Sequence, residues 1–375
     1  ATLMLVAVSS RALAQEDELL ALLRSDASFQ EKSAACRQLS RIATSQAIPT
    51  LASLLADEQL SHMARYALEP IDDPAVDDIL RESLDRVEGA SRLGVIGSLG
   101  VRRDTKAVKP LAELLTSTST QVAQAAARAL GQIGSPAAAK VLDDALPAAS
   151  DVNQLAICEG LLRCAETIED EGKAELSQKI YDRLRDLTDM PPQVRAAALR
   201  GAILARGKEG AALIKETIQG PDYALAAVAI RAAMESPEPQ ITDALFAELP
   251  TASPERQGLL IMALAARGES AVLPAALKAA QSGDEQLRIL AFRALKRVGD
   301  ASSVPALLDA AISDNAEVSN AAMDTLESLQ DKAVDGQLAH QLSQAKGKMR
   351  LALIELAGRR RTASAAPMLW NAVED

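Results

Sequence analysis

Aromatic side chains are nearly missing: the 375 residues hold one Trp, three Tyr and three Phe. Seven rings leave little with which to stack bases or sugars. They also argue against a sheet-built core, which favours aromatic and β-branched residues. Histidine is scarcer still, at His62 and His340 alone. The two are so far apart in sequence that one chain cannot be expected to bring them to a single metal. The three cysteines, Cys36, Cys158 and Cys164, are odd in number and form no CxxC. Cys158 and Cys164 fall six apart on one expected helix, on different faces. A disulfide framework and a zinc site are both excluded, and each thiol reads as a small buried hydrophobe. No GxGxxG, GxxxxGK[ST], HExxH or GxSxG motif occurs. Positive charge is short as well, with 40 Lys and Arg against 51 Asp and Glu, for a net charge of −11. That balance opposes general attraction to nucleic acid or to anionic lipid.

What the chain has is alanine and leucine, the leading helix formers, within a 48% hydrophobic composition. An all-α protein follows. Leucine or a small apolar residue recurs at 39, 68, 99, 130, 161, 203, 233, 264, 295, 326 and 356. The spacing is 29 to 31 residues throughout, except for one gap of 42 between Leu161 and Ile203. We call these the landmark positions. Four residues earlier stands an apolar column from Ala35 to Ala352, and i and i+4 share a helix face. Twelve residues later comes a second stripe, Leu51, Leu80, Leu111, Leu142, Leu245, Leu307 and Leu338, which slips by one at Leu277 and Leu369. Between the stripes Gly134, Gly207, Gly268 and Gly299 stand where a helix would end. Pro49, Pro110, Pro274, Pro305 and Pro367 open the next. Each unit is a helix pair that cannot bury its apolar side alone and must dock on a copy of itself. The long gap places an insertion within 168–190 that lengthens one pair.

KPLAELL (109–115) with VAQAAARALGQIG (122–134), EQLRILAFRALKRVG (285–299) and VPALLDA (304–310) resemble HEAT repeats. The form is the short one also seen in phycobilisome-lyase-type proteins. The resemblance implies a right-handed α-α superhelix of about eleven pairs over residues 15–375. It also implies a non-enzymatic scaffold that binds a protein partner on a concave face lined by second helices. The polar positions Arg195, Arg288, Arg293 and Arg350 are the contact candidates there. Val-Arg at the start of the second helix survives mainly at Val194-Arg195 and Leu287-Arg288, and is Val318-Ser319 later. A ladder of stacked Asp and Arg between repeats is therefore not expected over much of the array. HEAT-like arrays also occur as accessory regions of larger exported oxidoreductases with haem domains, the alternative reading. An activity like the phycobilin lyases is a remote third. No cofactor or metal is implied.

Three local features remain. Thr2 to Val8 is an apolar run followed by Ala12-Leu13-Ala14, the layout of a secretory leader over residues 1–14. This places the protein in the periplasm or outside the cell, and no other segment reaches a membrane-spanning length. Lys346, Lys348, Arg350, Arg359, Arg360 and Arg361 concentrate positive charge, either as a docking patch for an acidic partner or as a solvated turn. A helix over 363–373, carrying Trp370, begins a unit without a partner; with no initiator methionine, a piece of a longer protein is expected. The acidic pairs Asp72-Asp73, Asp77-Asp78 and Asp143-Asp144 read as helix starts or solvated faces. The glycines of GVIGSLG (94–100) read as packing positions inside a helix.

Overall fold

The computed structural model describes residues 2–361, excluding the side chains of 2–12. The expected helix at 363–373, Trp370, Pro367 and Leu369 lie outside the described residues, which contain α-helices and short 3-10 turns but no strand. The helices come in pairs, as the repeat demands. The first five are α1 (Thr2–Arg24) with α2 (Phe29–Ile42), α3 (Ile48–Ser53) with α4 (Ser61–Leu68), α5 (Pro74–Ser83) with α6 (Gly89–Val101), α7 (Val108–Leu114) with α8 (Thr120–Ile133), and α9 (Pro136–Ala145) with α10 (Asp151–Asp170). Next comes α11 (Ala174–Arg185) with α12 (Pro192–Leu204). The last five are α13 (Gly210–Gln219) with α14 (Tyr223–Glu235), α15 (Pro239–Glu248) with α16 (Pro254–Ala266), α17 (Leu273–Ala280) with α18 (Glu285–Val298), α19 (Val304–Ala311) with α20 (Ala316–Ser328), and α21 (Lys332–Gln344) with α22 (Gly347–Arg360). The architecture is an all-α superhelical solenoid. Its packing falls into two compact units that divide at Gly201 and Ala202, inside α12.

Burial follows the repeat. All eleven landmark residues, from Leu39 to Leu356, are 0–1% exposed. The column four residues before is buried too, except Ala352, which is half-buried. At +12 the expected slip does not happen. Ala276, in register, is fully buried and Leu277 is only half so. The register of the helix outranks side-chain size there, because rotating α17 by one residue would turn its buried face away from α18. The long interval from Leu161 to Ile203 holds a longer helix and a longer loop. α10 runs for 20 residues where other second helices run for 14 or fewer, and 186–191 adds a loop before α12.

Turn glycines split into two kinds. Gly134, Gly207 and Gly268 have φ of 68°, 54° and 83°, the left-handed conformation of a helix end. Gly299 does not; its φ is −72°. A Cβ there would lie 2.4 Å from the Leu295 carbonyl oxygen, so close approach is the reason for that glycine.

Within GVIGSLG, Gly94 is covered by the Arg65 guanidinium and Gly100 meets the Ala129 backbone, whereas Gly97 has nothing within 4 Å of a Cβ. α8 and α10 approach closely backbone to backbone, so that a Cβ on Gly131 would meet Gly160 Cα at 2.7 Å and a Cβ on Gly160 would meet the Ala127 carbonyl oxygen at 2.7 Å.

Gly160→Ala should therefore lower stability by about 1–3 kcal/mol through overpacking. Gly97→Ala should raise it by roughly 0.5–1 kcal/mol through helix propensity alone. Urea-denaturation midpoints of the two variants compare the effects, and equal shifts would contradict the packing assignment.

Candidate functional site

Each second helix ends with backbone carbonyls that have no partner within the helix. In the repeats that end with α6, α16 and α22 an arginine supplies one to the second helix before it. Arg102 Nη1 donates to the carbonyls of Glu69 and Ile71, both at 2.8 Å, and Nη2 to that of Asp73 at 3.2 Å and to Asp77 Oδ2 at 3.2 Å. Arg267 donates to the carbonyls of Ala233, Ser236 and Glu238 and to Thr242 Oγ1. Arg360 donates to the carbonyls of Leu326, Glu327 and Leu329 and pairs with Asp335 at 2.9 Å. The positions correspond. Each arginine stands three or four residues after its own landmark, and Asp77, Thr242 and Asp335 each stand nine after the preceding one. Cys164 fills the arginine's position in α10, and its thiol donates to the Leu130 carbonyl at 3.6 Å.

A second column lies five residues after the landmark, at Thr44, Asp73, Asp104, Ser135, Asp300 and Asp331. Each side-chain oxygen accepts from a backbone N–H two or three residues on, capping the next helix or 3-10 turn. Both columns are periodic in the sequence. They escape notice there because Thr, Asp and Ser alternate in one, while the other changes residue type in most repeats.

This geometry sorts the candidate arginines. Arg360 is not part of a docking patch. Its side chain is 7% exposed and its donors are spent on the preceding repeat. Arg359 pairs with Glu355, Glu327 and Asp324, and Lys348 with Asp314 at 2.7 Å, so the basic cluster is largely neutralised by its own neighbours. Arg361 is exposed, with φ of 52°. Arg288 is not a free contact residue either. It is half-buried, donates to the Ala280 carbonyl at the end of α17 and lies 5.9 Å from the Phe292 ring centroid. Ser319, one repeat later, makes the equivalent bond to Ala311 at 2.6 Å. The Val-Arg position thus caps the first helix of its own pair. Arg195 and Arg350 are half-buried and have partners within the chain. Arg293 is exposed, and no described residue pairs with it.

The remaining chemistry-bearing residues are quiet. The three thiols are buried and free, and burial pushes Cys36 and Cys158 up to about 11 and Cys164 to about 12. They stay protonated near neutral pH and are poor nucleophiles. His62 and His340 are exposed. The acidic pairs serve ion pairs and caps: Asp73 caps α5, Asp77 meets Arg102, Asp78 meets Arg81, Asp143 meets Arg183 and Asp144 meets Lys140. Among the described residues there is no cluster suited to a metal ion, and no helix long and apolar enough to cross a membrane.

Residues 88–161 and 242–327 match the family model of HEAT repeats. The protein carries HEAT repeats. A comparison with curated proteins gives no match. Among solved structures the solenoid is similar to the karyopherin Kap121p bound to the extreme C-terminus of the protein phosphatase Cdc14p. Identity is 13% and the TM-score 0.57, covering 96% of this chain and 48% of that one. It is similar as well to a complex of Kap95p, yeast importin-beta, in which binding induces the switch loops of RanGDP to adopt the GTP-bound conformation. There the identity is 13% and the TM-score 0.52, covering 92% of this chain and 55% of that one. The chain spans about half the length of these karyopherins, and the likeness is one of fold.

The arginine bridges between HEAT repeats should be structural. Arg267→Met, which strands three carbonyls, should cost about 2–4 kcal/mol. Arg293→Met should change stability by no more than about 0.5 kcal/mol. Thermal and urea unfolding of the two variants provide the check.

Proposed function

We propose that the chain is a protein-interaction scaffold whose partner lies along the exposed side of the second helices in the unit after Gly201. The observation that carries this reading is the division of the arginines there. Arg256, Arg267, Arg288 and Arg360 donate to backbone carbonyls. Arg231 on α14, and Arg293, Lys296 and Arg297 on α18, are exposed and pair with no described residue. Arg231 and Arg293 stand two residues before their landmarks, and Arg297 two after. Positions four apart share a helix face, so these cations point outward on the side away from the core.

Unpaired cations in a chain of net charge −11 favour a partner that brings carboxylates. On α16, between them, the same register holds Met262 and Ala266, giving an order of cation, apolar, cation. Second helices about 8–10 Å apart put α14 and α18 roughly 20 Å from each other. An extended chain at ~3.3 Å per residue crosses that distance in about six residues. The partner segment is thus extended and acidic at two places some six residues apart. Polypeptide capture by the karyopherin Kap121p, in its complex with the Cdc14p C-terminus, supports the reading by analogy of fold.

A fluorescent peptide with two Glu-Glu pairs six residues apart is the probe. The Arg293→Glu/Arg297→Glu protein should bind it at least tenfold more weakly, with an unchanged melting temperature. Equal binding would remove the surface from consideration.

The same proposal includes export directed by residues 1–14. It is supported by the contacts α1 makes beyond residue 14: Glu16, Leu20 and Leu23 are 1–3% exposed, and the Glu16 carboxylate accepts from Thr44 N–H at 2.8 Å. Loss of residues 1–14 would leave those contacts intact. Residues 1–20, given an initiator methionine and fused to alkaline phosphatase, should carry the reporter out of the bacterial cytoplasm. Activity confined to the cytoplasm would sink this part.

A further inference from the structure

Arg103 stands four residues after its landmark Leu99, where other repeats place Gly134, Gly207 and Gly268. It adopts the same left-handed backbone, with φ of 53°. The turn is the same helix-ending turn, closed by Arg103 N–H to the Gly100 carbonyl at 3.0 Å and Asp104 N–H to the Leu99 carbonyl at 3.1 Å. A side chain in that conformation is strained, and glycine relieves the strain. Neighbouring repeats therefore act as internal controls, showing what the position holds when only the turn matters. Arg103 gains nothing visible in return: its guanidinium is exposed and makes no hydrogen bond or ion pair with a described residue. A helix-dipole contribution does not explain it, because Arg102, one residue earlier and unstrained, already places a cation at this end of α6. Strain retained without structural reward points to function.

Its surroundings give that function a chemistry. Arg103 lines an open polar cleft of roughly 410 Å³ shared by the ends of α6 and α8 and the middle of α10. Arg163 of α10 lines the same cleft, exposed and likewise without a partner among the described residues. Gly131 lines it through its backbone, while Gln132 and Thr167 add neutral hydrogen-bonding groups and Glu166 adds one negative charge. Two guanidinium groups against one carboxylate leave a single positive charge. Guanidinium groups present forked donors that match a carboxylate in shape.

We infer that the Arg103–Arg163 cleft binds a single carboxylate, supplied either by an acidic side chain of a polypeptide or by a free small acid. The net charge of the cleft selects a monoanion over a phosphate dianion. The site lies in the unit before Ala202 and is independent of the Arg293 surface.

The test uses the whole chain with four probes: the blocked tripeptide acetyl-Gly-Glu-Gly-amide, its Gln counterpart, sodium acetate and inorganic phosphate. Shifts of the arginine Nε–H resonances report binding. The Glu peptide should bind and the Gln peptide should not. Acetate binding as well as the Glu peptide would assign the site to a free acid, and weaker acetate binding would assign it to a polypeptide side chain. Arg103→Gly should raise the melting temperature while weakening Glu-peptide binding at least fivefold. Arg163→Gln should weaken binding without a change in melting temperature, and the Arg293→Glu/Arg297→Glu protein should bind as the wild type does. The inference fails if Arg103→Gly binds normally or melts lower, if the Gln peptide binds equally well, or if phosphate binds more tightly than the carboxylates.

Discussion

The structure depends on one constraint: a helix pair of about 31 residues has too little interior to hide its own apolar stripe. A pair in isolation would leave its landmark residue and the column before it facing water. Stacking a second copy removes both from solvent at once, at a gain of about 25 cal/mol per Å² of apolar surface. That is why the eleven landmark positions are 0–1% exposed although they are spread over more than 300 residues. Each copy requires the next, so the repeat is a consequence of burial and not only of shared ancestry.

Stacking creates a second requirement, because it buries helix ends along with helix faces. The carbonyls that close a second helix need donors, and water is displaced from them by the neighbouring repeat. Arg102, Arg267 and Arg360 meet this need from across the repeat boundary, each with three carbonyl contacts and one side-chain acceptor nine residues after the preceding landmark. Caps at Thr44, Asp73, Asp104, Ser135, Asp300 and Asp331 supply acceptors for the helix starts. Much of the chain's charge is thus structural. A guanidinium that donates to three backbone carbonyls is not available to a partner, whatever its sequence context suggests. Arginines that satisfy nothing inside the fold, such as Arg103, Arg163, Arg231, Arg293 and Arg297, are the ones left available to a ligand.

The sequence by itself determined the helix class, the period, the landmark column, the long fifth interval and the turn positions of Gly134, Gly207 and Gly268. Each of these follows from local propensity and from apolar spacing, which are properties of a single segment. It could not determine the roles of the arginines. Arg288 and Arg293 lie five residues apart on one helix with similar flanks, yet one turns back to the Ala280 carbonyl and the other faces solvent. Arg359 and Arg360 are adjacent, yet only Arg360 donates to the backbone carbonyls that end the preceding second helix, while Arg359 pairs with carboxylates. The same limit applied at Gly299, where a neighbouring carbonyl and not the turn requires glycine. In each case the deciding atoms belong to another segment, and only the packed tertiary structure brings them within reach.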